Sequence, residues 1–153
     1  MPKTSAGLLP YRRNGGTLEV LLVHPGGPFW ARKDLGAWSI AKGEHAPDED
    51  ALAAARREFE EETGCAPAGP FLPLGTVAQA AGKVVAAWAV ALDWDPAGLR
   101  SNTFELEWPK GSGRKRSFPE VDRAEWFGLE EAARRILPAQ RGLLEALARA
   151  LAR

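Results

Sequence analysis

Two apolar-rich runs open the chain, residues 8–13 and 18–24, with Asn14-Gly15-Gly16 between them. Strand-like runs joined by a short Asn/Gly turn predict a hairpin. Residues 25–36 contain Gly26, Gly27 and Pro28 and read as a loop, 37–41 is short, apolar and extended, and 42–48 is a second loop. The spacing then changes. Leu52, Ala55 and Phe59, with Ala51, recur at three- and four-residue steps, which predicts a helix over 48–63 with one apolar stripe. Asp48, Glu49 and Asp50 suit its positive end, and Gly64 suits its stop. Further strands are predicted at 71–79 and 83–94, around a turn at 80–82, and the second is rich enough in Val, Ala and Trp to be buried on both faces. Weak alternation over 104–108 precedes a basic, glycine-containing loop at 109–117, and a last short strand is expected at 123–127. Two helices, 129–137 and 139–152, are broken at Pro138. The second carries Leu143, Leu144, Leu147 and Leu151 as a stripe that docks on the core or on a second copy. Strands with interspersed helices predict a mixed α/β (α+β) domain.

Composition narrows this. The 153 residues suit one domain, taken as 1–153, long enough to bury a core without cross-links. Twenty basic and 20 acidic residues give zero formal net charge. That argues against a general polyanion binder, but not against a small anion held by a local patch. Cys65 is the one cysteine, so no internal disulfide can form, which fits a reducing compartment. The first ten residues hold one lysine and no long apolar run, unlike a secretory signal. No stretch approaches the ~20 apolar residues of a membrane span. A cytoplasmic protein without membrane partners, monomer or homodimer, is expected.

The chemistry concentrates on the 48–63 helix. Glu58 and Glu62 stand one turn apart on one face, with Glu61 beside them and Arg57 one turn before Glu61. Carboxylates crowded on one face repel each other, and a hard divalent cation relieves that. Taken alone, the cluster reads first as an ordinary solvated acidic face. The wider spacing decides between these. From Gly43 the chain runs five residues, Glu49, seven residues, Arg57-Glu58-Phe59, one residue, Glu61-Glu62, one residue, Gly64-Cys65. This run resembles the Nudix box, with Gly43, Glu49, Arg57, Glu58, Glu61, Glu62 and Gly64 all in register. At about one in fifteen per position, chance gives such a match on the order of 10⁻⁸ times per starting point. Phe59 and Cys65 stand where the family usually has aliphatic residues.

The resemblance implies the family's fold, a mixed β-sheet sandwiched between helices, with the box as loop–helix–loop and residues 42–47 as the first loop. It implies a pyrophosphohydrolase that uses Mg²⁺ or Mn²⁺ and cleaves a nucleoside diphosphate linked to another group. Glu58, Glu61, Glu62 and the backbone carbonyl of Lys42 become metal ligands, and Glu58 or Glu62 orients or deprotonates the water. Glu49 and Arg57 pair in support, and Gly43 and Gly64 take backbone conformations that a side chain disfavours. Relatives recruit a further acid from outside the box. Glu120, in Phe118-Pro119-Glu120-Val121, is the first candidate for ligand or base, with Glu105 and Glu107 as competitors, and each is also readable as a solvated carboxylate.

Residues outside the box bear on substrate. Trp38-Ser39-Ile40-Ala41-Lys42-Gly43-Glu44 resembles the run before the box in dinucleoside polyphosphate hydrolases, with Ala41 in place of their proline. The Lys42 ammonium is a candidate phosphate contact. In Pro28-Phe29-Trp30-Ala31-Arg32-Lys33, Trp30 and Arg32 are candidates to hold a base by stacking, and the aromatics equally suit packing onto the core. In the basic loop Lys115 and Arg116 are candidate phosphate contacts, although no P-loop ending is present. His24 and His45 have no zinc or nucleophile pattern and read as structural or surface residues. Three functions compete: hydrolysis of a soluble nucleotide, most simply a nucleoside triphosphate or dinucleoside polyphosphate; the same chemistry on an RNA 5′ end; and a non-catalytic nucleotide-binding module.

Overall fold

Asn14 and Thr17 face each other across Gly15 and Gly16, whose φ angles of 59° and 86° are those of a tight hairpin turn. The computed structural model describes residues 4–152; the first three residues of the N-terminal segment judged free of a secretory signal lie outside them. The hairpin joins β1 (Thr4–Asn14) to β2 (Thr17–Pro25), both longer than the apolar runs that predicted them. β1 is long enough to take two partners along one edge. Its second half pairs with β2, and its first half pairs antiparallel with β3 (Ala41–Glu44).

β3 corrects the expectation for this stretch. Residues 37–41 were expected to be extended and 42–48 to be loop. Instead Trp38 and Ser39 make only single bridges, to Ile136 and Val23, and the strand begins at Ala41 and takes in Lys42 and Gly43. The reason lies in β1, whose residues 5–8 present backbone donors and acceptors that 41–44 can satisfy.

α1 (Ala51–Thr63) follows. It starts later than expected because Asp50 is its cap, accepting from the Ala53 N–H at 2.9 Å. Asp48 and Glu49 precede the cap. Gly64 ends the helix at φ 83°, donating to the Glu60 carbonyl, a conformation that costs glycine little. β4 (Phe71–Ala78) and β5 (Val84–Ala91) pair antiparallel, and β5 lies parallel to β1. β6 (Thr103–Glu107) and β7 (Lys115–Pro119) form a separate two-stranded hairpin, so the expected basic loop is shortened by a strand that starts at Lys115. β8 (Val121–Gly128), longer than the predicted 123–127, pairs with β2. The sheet order is β4-β5-β1-β2-β8, with β3 beside β1. α2 (Leu129–Arg135), a 3-10 turn at Pro138–Gln140 and α3 (Arg141–Leu151) complete the chain.

Each central strand feeds two cores. In β2, Leu21 and Val23 face Ala54, Ala55 and Phe59 of α1, while Val20 and Leu22 face Leu143, Leu144 and Leu147 of α3. In β5, Val85, Ala87 and Ala89 point to the α3 side and Val90 to the α1 side, which is the two-faced burial expected. The sheet is thus sandwiched between α1 and the α2–α3 pair. Phe59 is fully buried, and burial of such a side chain contributes roughly 1.5–3 kcal/mol, enough to fix the face that α1 turns inward. The leucine stripe of α3 is covered by the protein's own core. No helix among the described residues is long and apolar enough to cross a membrane.

Candidate active site

Because Ala55 and Phe59 anchor α1, Arg57 and Glu61 stand on its opposite side, while Glu58 and Glu62, one turn apart, lie on the flank nearer the core. Arg57 gathers three carboxylates. It reaches both oxygens of Glu49 at 3.3 Å, Glu58 at 3.1 Å and Glu61 at 3.3 Å. The pairing of Glu49 with Arg57 expected from the sequence is therefore present, and it extends to two of the candidate ligands.

Gly43 sits against Glu58. A Cβ placed on Gly43 would overlap the Glu58 carboxylate. The sequence reading gave Gly43 a conformational role. Gly64 fits that role at φ 83°, but Gly43 does not have a positive φ and is needed for close approach instead.

A cleft of about 560 Å³ opens beside this group. Lys42, Gly43, Glu58, Glu61, Glu62, Glu120 and Trp30 all line it, so strand β3, helix α1, the loop after β2 and the β7–β8 junction converge there. Arg32 and Lys115 do not line it. Arg32 is an exposed loop residue, and Lys115 is exposed on β7 opposite Glu107. Glu105 and Glu107 are exposed on β6, and Glu107 accepts from the Gly111 N–H at 2.7 Å, holding the hairpin turn.

Glu120 is fixed by its backbone. Its N–H donates to the Asn102 carbonyl at 2.8 Å, and its own carbonyl accepts from Gly26 at 2.9 Å. Asn102 in turn donates to the Glu61 carbonyl at 2.8 Å, so it brackets the two acids. Asn102, Thr103 and Ser39 also line the cleft and were not singled out from the sequence. Their only signal was a polar run before a weak strand, and nothing local reveals a pairing partner some forty residues away in α1.

Electrostatics mark the same place. Burial, and then the neighbouring Glu58, push the Glu62 carboxyl up to about 8, against the Lys42 ammonium and backbone amide, which favour its ionised form. Burial and Glu61 raise Glu58, with Arg57 opposing. Burial lowers Lys42 from its usual range, while Glu62, Glu44 and Glu58 partly restore it. Four carboxylates therefore share one cleft with the Lys42 ammonium, and Arg57 joins two of them, Glu58 and Glu61.

The donor set fits a hard divalent cation: carboxylate oxygens of Glu58, Glu61, Glu62 and Glu120, with Lys42 lining the same cleft. Among the described residues no three acidic, histidine or cysteine side chains already converge as a finished cage. Arg57 holds Glu58 and Glu61 through a single nitrogen, Nη1. The histidines are elsewhere. His24 is buried between Asp122 at 2.7 Å and the Lys33 carbonyl at 2.6 Å, and His45 contacts the Ala46 carbonyl.

A model of the NUDIX domain matches residues 1–147. The chain belongs to the Nudix family. Its fold agrees with solved Nudix structures. The Caenorhabditis elegans Ap4A hydrolase, in a binary complex, is 24% identical with a TM-score of 0.69, over 97% of this chain and 98% of that one. The NUDIX domain of Shewanella oneidensis NrtR, complexed with ADP ribose, is 18% identical with a TM-score of 0.65, over 99% and 89%. The C-terminal domain of mouse MUTYH, in complex with human PCNA, is 19% identical with a TM-score of 0.63, over 99% and 91%. Comparison with curated protein sequences finds no match. In this Nudix chain the segment expected as the first loop of the box is partly strand, since Lys42 and Gly43 belong to β3.

Proposed function

We propose that this Nudix protein is a divalent-metal-dependent pyrophosphohydrolase acting on a nucleoside diphosphate linked to another group, a nucleoside triphosphate or a dinucleoside polyphosphate. The observation that carries this reading is the meeting of Glu58, Glu61, Glu62 and Glu120 in one cleft with Lys42 and Trp30. The names of two structural relatives support the substrate class, one an Ap4A hydrolase and one bound to ADP ribose.

In this reading Mg²⁺ or Mn²⁺, when bound, neutralises phosphate charge and makes water more acidic. Glu58, Glu61, Glu62 and the Lys42 carbonyl hold it. Water adds to one phosphorus, the bridging P–O bond breaks, and the bridging oxygen leaves with the second phosphate. Glu120 takes the water's proton, being the cleft acid that comes from outside the helix and from outside the Arg57 cluster. Glu58 and Glu62 orient the same water. The Lys42 ammonium meets a phosphate oxygen. Trp30 offers a ring face to the base, with the Lys33 ammonium 5.0 Å from its centroid. Chemistry of this kind depends mostly on positioning and charge.

The test is phosphate and pyrophosphate release from nucleoside triphosphates, oxidised nucleotides, dinucleoside polyphosphates, nucleotide sugars and dinucleotide cofactors, with and without Mg²⁺. Turnover that requires metal is expected on at least one class. Silence across the panel would move the assignment to an RNA substrate or to a binding module.

An RNA 5′ end is the second reading. Lys110, Arg114, Lys115 and Arg116 are exposed on the β6–β7 hairpin, whose first strand reaches the cleft at Thr103. RNA contacts release counterions, so a steep fall of affinity with salt would favour RNA over a free nucleotide.

A further inference from the structure

Gln140 is the one amide side chain that is fully buried among the described residues, and it lies on the far side of the sheet from α1. All its polar atoms are used. Its Oε1 accepts from the Ile40 N–H at 3.1 Å, and its Nε2 donates to Ser39 Oγ at 3.0 Å and to Gln79 Oε1 at 3.1 Å. A buried amide can be replaced by an apolar residue at little cost only if its partners need nothing from it. Here the Ile40 N–H has no β-sheet partner to fall back on, since β3 begins one residue later.

The segment that Gln140 grips leads straight into the cleft. Residues 36–39 are strapped on both sides, Ser39 to Val23 and Trp38 to Arg135 and Leu137, all through backbone hydrogen bonds. Beyond the strap the chain passes through Ile40 to Lys42 and Gly43. Lys42 acts on Glu62 through its ammonium and its backbone amide, and Gly43 is the surface against which Glu58 rests. The Gln140 amide is the side-chain tether on Ile40 just before β3, where Ala41, Lys42 and Gly43 pair with Leu8, Gly7 and Ala6 of β1. Ser39 and Ile40 themselves line the cleft.

We infer that Gln140 is a positioning residue for the active site: by fixing Ile40 it sets how the chain enters β3, and so, together with the pairing of β3 on β1, where Lys42 and Gly43 stand and where Glu58 and Glu62 present their oxygens. Resting on the pyrophosphohydrolase reading, this gives the C-terminal 3-10 turn a part in catalysis without contact with metal or substrate. A partner one shell removed from a metal ligand commonly changes metal affinity or activity by about 10–100-fold when lost. Displacement of a reacting group by about 1 Å has a similar effect on rate.

The experiment compares Gln140→Met, which keeps shape and removes the hydrogen bonds, with Leu143→Ala, which loosens α3 but leaves the amide in place. Three quantities are read: Mn²⁺ affinity by water-proton relaxation, amide exchange of Ile40 and Lys42 in metal-free protein, and kcat and KM on whichever nucleotide the wild type cleaves. Gln140→Met is expected to weaken Mn²⁺ about tenfold, to speed exchange at Ile40 and Lys42, and to lower kcat more than it raises KM. Leu143→Ala is expected to lower Tm while leaving Mn²⁺ affinity and the Lys42 amide as in wild type. Equal Mn²⁺ affinity in Gln140→Met and wild type, or equal loss in both variants, overturns the inference. If Gln140→Met does not fold, Gln79→Ala, at the half-buried end of the network, decides: weaker Mn²⁺ binding supports the role and unchanged binding overturns it. The metal and exchange measurements need no substrate, so an inactive wild type would count against the hydrolase reading and leave this one still open to refutation.

Discussion

The carboxylate of Glu58 lies where a side chain on Gly43 would have to go. One residue from β3 and one from α1 thus share a single volume, and the absence of a Cβ lets the acid reach the cleft. Gly43→Ala is expected to destabilise the protein by about 1–3 kcal/mol, the usual cost of overpacking, and to displace Glu58. Turnover should fall by at least tenfold in protein that remains folded, since small misplacements of reacting groups are costly. Thermal unfolding and kcat measured together check this. A variant that loses stability but keeps full turnover would show that Glu58 can move aside harmlessly.

Glu58→Gln addresses the charge without the volume. The side chain is 16% exposed and its oxygen is 3.1 Å from Arg57, so an amide keeps the shape and one hydrogen bond. Tm is expected to change little. Turnover is expected to fall about a hundredfold or more, beyond the loss typical of an outer-shell partner. Wild-type turnover in Glu58→Gln would remove Glu58 from the catalytic set.

These two residues also show how far the sequence could be read. The spacing from Gly43 to Gly64 placed Glu58, Glu61 and Glu62 on one helix face, because a helix converts sequence separation into direction, while the pairing of Glu49 with Arg57 came from the resemblance to the Nudix box. The same spacing could not say why Gly43 is glycine, which depends on a strand–helix contact. Nor could it show Asn102 bridging Glu61 and Glu120, or Gln140 gripping Ile40 from a hundred residues away. Strand ends failed for a related reason. Residues 41–44 have no strong strand pattern, and they pair because β1 leaves an edge open beside them. Long-range hydrogen bonding supplied what local preference did not.

Of the acids outside the box, Glu120 lines the cleft, while Glu105 and Glu107 stand exposed on β6. Glu120→Gln is expected to reduce kcat by about 10²-fold or more, the lower range for loss of a general base, with Mn²⁺ affinity reduced less. Glu105→Gln is expected to leave both unchanged. Equal effects of the two substitutions, read from initial rates at saturating metal, would remove Glu120 from the role of proton acceptor.

Glu62 makes stability depend on pH in a direction opposite to most carboxylates. Its folded-state pKa is pushed up to about 8, while an unfolded glutamate titrates near ~4.3. Between those values the folded protein keeps a proton that the unfolded chain has released. This group therefore adds stability below the unfolded pKa and loses that contribution as pH rises through the folded one. Asp34 and Glu131, held low by hydrogen bonds to Trp38 and Arg135, act only at more acid pH, where they oppose it. In protein stripped with EDTA, Tm is expected to fall on the order of 5 °C between pH 5.5 and 8. Glu62→Gln should flatten that slope. Millimolar Mg²⁺ should raise Tm most at the alkaline end, because a cation that binds only the folded state stabilises it and takes the place of the proton. Scanning calorimetry of both proteins across this range gives the answer, and parallel Tm curves for wild type and Glu62→Gln without metal would mean that Glu62 is already ionised in the folded protein.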